Sequence, residues 1–171
     1  MSCSGIRGAD ARGSSMAVAD GRDNVSILFC CLATALSDLT FALIAPFFPN
    51  VALSHGLTST GIGFVFAAQP LAVMAGAVVA PYVIERTGPL AALRVATAAQ
   101  AVFTLAFGLT DWLFASWLPF LLATSALRVA QGLACGLTET AAASLAMRSV
   151  PQHDIASAVG LVSAARVALP Y

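Results

Sequence analysis

Four charged residues lie inside apolar segments of this 171-residue chain, and theirs are the side chains best suited to chemistry. They are Asp38, Arg128, Glu139 and Arg166. A charge inside a membrane is costly unless it has a polar partner or water, so such residues usually mark a functional site. The carboxylates could exchange a proton or hold a cationic substrate, with the arginines balancing their charge. The alternatives are four structural ion-pair members, or a Ser37/Asp38 pair that only hydrogen-bonds two helices.

The stretch Leu118–Met147 places several polar residues on one face of a helix. It is rich in Ala and Leu, and its length is enough to cross a bilayer with some tilt. At about 100° per residue, Glu139 lies within about 20° of Arg128 and about 16 Å further along the axis. Gln131 and Cys135 fall on the same stripe. One polar face on an apolar helix indicates an aqueous cavity or a polar partner helix, which is typical of a transporter.

The composition is that of a membrane protein. Hydrophobic residues make up 59% of the chain, charged residues 9%, and the mean hydropathy is +0.88. Soluble domains carry about 25% charged residues. The chain has no Lys and a net charge of zero, so we expect no nucleic-acid partner. The cysteines form no C-x-x-C pair, so we expect them to be small packing residues and not a disulfide or metal framework: Cys3, Cys30, Cys31 and Cys135. His55 and His153 lie in different loops with no carboxylate at ligand spacing, so we expect ordinary loop histidines and no metal site.

Apolar segments predict an all-α membrane protein with four transmembrane helices and the start of a fifth. Their expected bounds are 25–48, 60–84, 90–109, 118–147 and 155–171 onward. Residues 1–24 predict a disordered tail and no cleavable signal peptide. Pro46 and Pro49 are expected to end the first helix, and Asn50 to Ser59 to form a short polar loop.

Arginines predict the orientation of these helices. Those outside the apolar interiors fall on one side of the predicted topology, and the two opposite loops contain none: Arg7, Arg12, Arg22, Arg86, Arg94 and Arg148. By the positive-inside rule, the amino terminus, the 85–89 turn and the 148–154 loop are cytoplasmic. In this topology Asp38 and Arg128 could meet at similar depth, and Glu139 would lie nearer the cytoplasm.

Several motifs resemble those of a known transporter family. Arg128-Val-Ala-Gln131-Gly132 resembles the R-x-x-Q-G pattern of the major facilitator superfamily, and Glu85-Arg86-Thr87-Gly88 resembles the D-R-x-G core of its loop between helices two and three. Ala45-Pro46-Phe47-Phe48-Pro49, Gly61-Ile62-Gly63 and Ala80-Pro81 are similar to the vesicular amine transporter family, and above all to its polyamine branch. The likeness covers residues 25–171. It departs from the loop motif at four positions: Pro81, Glu85, Pro89 and Leu90.

The resemblance implies a proton-coupled antiporter for organic cations, whether amines, polyamines or drug-like molecules. It implies a partial major facilitator fold, the amino-terminal portion of twelve helices in two six-helix halves, with the carboxy-terminal half as a missing partner. In such folds the first helix of each three-helix repeat lines the cavity. Asp38 and Glu139 would then be proton or cation sites, and Arg128 would organise the polar network, with Gln131 and Arg166 as further candidates. Glu85, Arg86 and Gly88 would form the cytoplasmic loop motif.

We expect no cofactor, because the proton gradient would supply the coupling energy. We expect the protein to reside in a vesicular or plasma membrane. The alternative is a truncated, non-transporting membrane protein that assembles with another chain. An enzyme is not expected, because the sequence contains no serine elbow, no H-E-x-x-H and no paired membrane histidine. ATP-driven transport is not expected either, because the sequence contains no Walker A loop.

Overall fold

The computed structural model describes residues 7–150 and 155–168, with side chains described for 25–150 and for 155–164 apart from Ala158. These residues form six helices: α1 (Arg7–Ile44), α2 (Phe48–Ser54), α3 (Ser59–Thr87), α4 (Pro89–Leu113), α5 (Trp117–Ser149) and α6 (Ile155–Ala168). The described ranges contain no strand. Four stretches are long and apolar enough to span a membrane: Val25–Ile44, Ser59–Thr87, Pro89–Leu113 and Trp117–Ser149. The predicted all-α fold class with four spanning helices is confirmed.

Two helix boundaries differ from those expected. Helix α1 is continuous back to Arg7, into the segment for which disorder is expected, although its apolar span still begins at Val25. Residues 7–24 contain no proline, so every residue there has the backbone N–H that a continuous helix requires. The expected polar loop after Pro49 is wrong in its first half, because the chain continues there as α2. Pro49 lies in the first turn of α2, where a missing N–H costs nothing.

Helix α5 is central, and α1, α3, α4 and α6 all pack against it. Its approach to α3 depends on glycines of both helices, Gly76 on α3 and Gly132 and Gly136 on α5. A Cβ atom on Gly132 would lie 2.4 Å from the carbonyl oxygen of Gln69, and one on Gly136 would lie 2.3 Å from that of Val73. Glycines four residues apart allow two helix backbones to touch. This contact holds the Gln69 face of α3 against the polar stripe of α5.

Two apolar clusters fill the two ends of the bundle. The end that carries Arg86, Arg94 and Arg148, here the arginine end, has a core of mostly small residues: Cys30, Ala33, Ala80, Ile84, Ala92, Leu93, Ala141, Ala142, Ala146 and Val162. The end that carries His55, here the histidine end, has a more aromatic core: Phe48, Ala52, Leu57, Val65, Phe107 and Phe120. The polar residues of α1, α3 and α5 lie between the two clusters.

Candidate functional site

Arg128 is completely buried at the centre of the polar layer. Its Nη1 donates hydrogen bonds to the Oε1 atoms of Gln69 on α3 and Gln131 on α5, the second at 3.5 Å. Gln131 is itself held by α4, because its Nε2 donates to Thr104 Oγ1 at 3.1 Å. Arg128 is therefore hydrogen-bonded to α3 directly and connected to α4 through Gln131. Its role as the organiser of a polar network stays a prediction.

Aromatic rings surround the rest of the Arg128 guanidinium. Its central carbon lies 4.5 Å from the ring centroid of Phe107, 5.6 Å from that of Phe66 and 5.7 Å from that of Phe41. Ring faces attract a cation, and more strongly in a dry site. Within the described part of the chain, Nε and Nη2 are buried and have no hydrogen-bond partner. The guanidinium thus retains two donors for a group that these helices do not supply.

Asp38, Cys135 and Glu139 form a cluster about two turns of α5 away from Arg128. One carboxylate oxygen of each acid and the Cys135 sulfur all lie within 4.8 Å of one another. The Cys135 thiol donates to Glu139 Oε1 at 3.4 Å. Cys135 is buried, and both acids are half-buried. This donor set of two carboxylates and one thiol could accept a proton, an organic cation or a metal ion.

The cluster lines a cavity of about 190 Å³ between α1, α3 and α5. Phe41 and Gln69 share this wall, so the amide that binds Arg128 also faces the cavity. Phe41 likewise faces the cavity and contacts the guanidinium. The arginine network and the acidic cluster are therefore adjoining parts of one site.

The expected pairing in depth is wrong. Asp38 was expected at the level of Arg128 with Glu139 nearer the cytoplasm, but the structure places Asp38 beside Glu139. The chain leaves the helical path after Ile44 and resumes it as α2 at Phe48, so residue counts do not convert into depth beyond the end of α1. The level of Asp38 is set instead by how α1 packs along α5, which the spacing of residues within one segment does not determine.

Ser37 and Asp38 are neighbours in sequence but have different roles in the packing. The Ser37 hydroxyl donates to Gln100 Oε1 on α4 at 2.8 Å, and Gln100 Nε2 donates back to the Ser37 carbonyl at 3.4 Å. Asp38 points about 100° away around α1 and faces α5. Ser37 therefore provides a structural link between helices, while Asp38 lines the cavity.

His55 is not the simple loop histidine that was expected. Its Nε2 lies 2.7 Å from Asp111 Oδ1, at the end of α4, and its ring stacks on Phe120 at 4.3 Å between centroids. Its side chain is only 13% exposed. No carboxylate lies at ligand spacing from His55 in the sequence, because its partner Asp111 is 56 residues away along the chain. The contact joins the ends of α2, α4 and α5.

The loop-motif residues lie at the arginine end. Glu85 and Arg86 are exposed, and the Arg86 guanidinium carbon lies 4.3 Å from the Tyr82 ring centroid. Gly88 joins α3 to α4 with φ of +83°, a conformation that favours glycine. Arg166 belongs to α6, but its side chain lies outside the described residues, as does the whole of His153.

The polar layer also contains three residues that the sequence does not predict as site residues: Gln69, Gln100 and Thr104. Cys135 belongs to the layer too, and the sequence predicts only its position on the polar stripe of α5. The sequence signal for Gln69 and Gln100 is an amide inside an apolar segment.

A family model described as Major Facilitator Superfamily matches residues 30–168, which is most of the chain. No curated protein and no solved structure matches it.

Proposed function

Because this chain belongs to the major facilitator superfamily of membrane transporters and is an integral multi-pass protein, we propose that it forms part of a proton-coupled antiporter for organic cations. The observation that carries the proposal is the approach of the Asp38 and Glu139 carboxylates to within 4.8 Å on the wall of the cavity between α1, α3 and α5. The likeness of several motifs to the vesicular amine and polyamine transporters supports the same substrate class.

Two carboxylates this close inside a membrane repel each other, so a proton or a bound cation between them is stabilised. One proton shared between Asp38 and Glu139 leaves one negative charge, which a second proton or an organic cation neutralises. Proton and substrate therefore compete for the same charge. Competition at one site that opens alternately to the two sides is the thermodynamic basis of exchange.

Arg128 adds a fixed positive charge behind the cavity wall. Gln69 accepts a hydrogen bond from Arg128 and lines the cavity, so a change of occupant at the acids alters the surroundings of the guanidinium. The two guanidinium donors without partners provide hydrogen bonds for a second arrangement of this network. In this proposal Arg128 positions the network and limits how much negative charge the cavity holds.

The cavity wall also fits an amine with an apolar body. Besides the two acids, Phe41, Pro70 and Val73 line it. A ring next to carboxylates binds an ammonium group through its face while apolar neighbours cover the carbon skeleton. The paired carboxylates attract a cation and repel an anion.

The test is uptake of a labelled amine into liposomes that contain the native protein, driven by a pH gradient. Glu139→Gln and Asp38→Asn should each abolish gradient-driven uptake while the protein still inserts and purifies normally. Asp111→Asn is the matched control, because it removes a carboxylate at the histidine end that does not line the cavity. Uptake that remains fully dependent on the gradient in both cavity variants would refute the proposal.

A further inference from the structure

An apolar groove lies between α3 and α4, with α5 as its floor. Its volume is about 390 Å³, and all twelve residues that line it are apolar. Helices α3 and α4 meet at the turn around Gly88 and diverge from it, while each remains packed on α5. Small side chains such as Ala99 on α4 and Ala130 on α5 leave the gap unfilled.

The groove lies on the side of α5 opposite the polar cavity. Its floor on α5 is formed by Ala130, Leu133, Ala134 and Leu137. At about 100° per residue, these positions lie on average roughly opposite the stripe that runs from Arg128 to Glu139. The groove therefore opens toward the surroundings of the bundle and not toward the substrate site. In a spanning bundle those surroundings are lipid.

The groove also has the right depth for one leaflet. On α4 its lining runs from Val95 to Phe103, which is about 12 Å at 1.5 Å per residue. One leaflet contributes about half of the roughly 30 Å hydrocarbon core. The groove begins close to the arginine end and reaches about the middle of the bundle.

Charge at the arginine end indicates which lipid would occupy the groove. Arg86 is three residues past the lining residue Val83, and Arg94 is adjacent to the lining residue Val95. Arg86 and Arg94 are both exposed. Among the residues whose side chains the structure describes at this end, Glu85 is the exposed acidic one. Long arginine side chains near a helix end reach for the membrane surface. We propose that the groove binds one acyl chain of an anionic phospholipid, whose phosphate is held by Arg86 and Arg94.

Native mass spectrometry of the purified protein, titrated with dioleoylphosphatidylglycerol or dioleoylphosphatidylcholine, tests the proposal. The wild type should retain one phosphatidylglycerol molecule in preference to phosphatidylcholine. Ala99→Phe fills the groove and should weaken retention about tenfold. Ala98→Phe is the matched control, because Ala98 is exposed and does not line the groove. Replacing Arg86 and Arg94 by Gln should remove the preference for the anionic headgroup, by about fivefold per arginine.

Ala99→Leu serves as a milder filling variant if circular dichroism shows that Ala99→Phe has lost helix. Equal retention of phosphatidylglycerol by filling and control variants would overturn the proposal, and so would equal affinity of the wild type for the two lipids. A protein dimer that Ala99→Phe dissociates, without a change in bound lipid, would assign the groove to a helix and also overturn it. None of these outcomes depends on transport activity.

Discussion

Replacement of Gly136 by alanine tests whether direct backbone contact between α3 and α5 builds the site. The added Cβ atom would lie 2.3 Å from the Val73 carbonyl oxygen and 2.8 Å from the Ala77 amide nitrogen. Both are backbone atoms, so no side-chain rotation relieves the clash and α3 must move. Overpacking of this kind costs about 1–3 kcal/mol. Alanine's better helix propensity returns at most about 1 kcal/mol.

We therefore expect Gly136→Ala to lower the free energy of unfolding by about 1–2 kcal/mol. It should also weaken transport, because Gln69 on the displaced helix binds Arg128 and lines the cavity. The assay is equilibrium unfolding in mixed micelles, followed by far-ultraviolet circular dichroism. Gly63→Ala is the matched control, because Gly63 lies in α3 with nothing within 4 Å of the added atom.

The control should be neutral or should raise the free energy of unfolding slightly, by up to about 1 kcal/mol. Stability of Gly136→Ala equal to that of Gly63→Ala would refute the reasoning, because α3 and α5 would then have room between their backbones. Lower stability with unchanged transport would separate the packing of these helices from the organisation of the site.

Two further predictions concern single side chains. Arg128→Lys keeps the charge but removes the planar guanidinium that binds Gln69 and Gln131. We expect gradient-driven uptake to fall at least about tenfold with little loss of expressed protein. Uptake equal to that of the wild type would contradict the positioning role of Arg128. Asp111→Asn removes the charge opposite His55. Because the Asp111 side chain is 49% exposed, the free energy of unfolding should fall by no more than about 1 kcal/mol, measured against Glu85→Gln in the same unfolding assay. A larger fall would mean that the contact is shielded from solvent.

Several local features could be predicted from the sequence, because each depends on residues close together in the chain. The four spans follow from the length and hydropathy of single segments, and they appear in the structure at nearly the expected bounds. The polar stripe on α5 follows from the 3.6-residue period, and Arg128, Gln131 and Cys135 are indeed buried on it. The position of Gly88 between two helices follows from glycine's freedom at positive φ.

The tertiary structure alone decided which distant side chains meet. Asp38 lies beside Glu139 because of the way α1 packs along α5, and the short helix α2 that follows α1 gives no strong hydrophobic pattern. His55 finds Asp111 across 56 residues, a separation at which spacing carries no information. The depth of each residue depends on where each helix begins and how closely Gly132 and Gly136 let α3 approach α5. Periodicity sets the direction in which a side chain points around its own helix, whereas its partner is set by the offset between helices, which only packing determines.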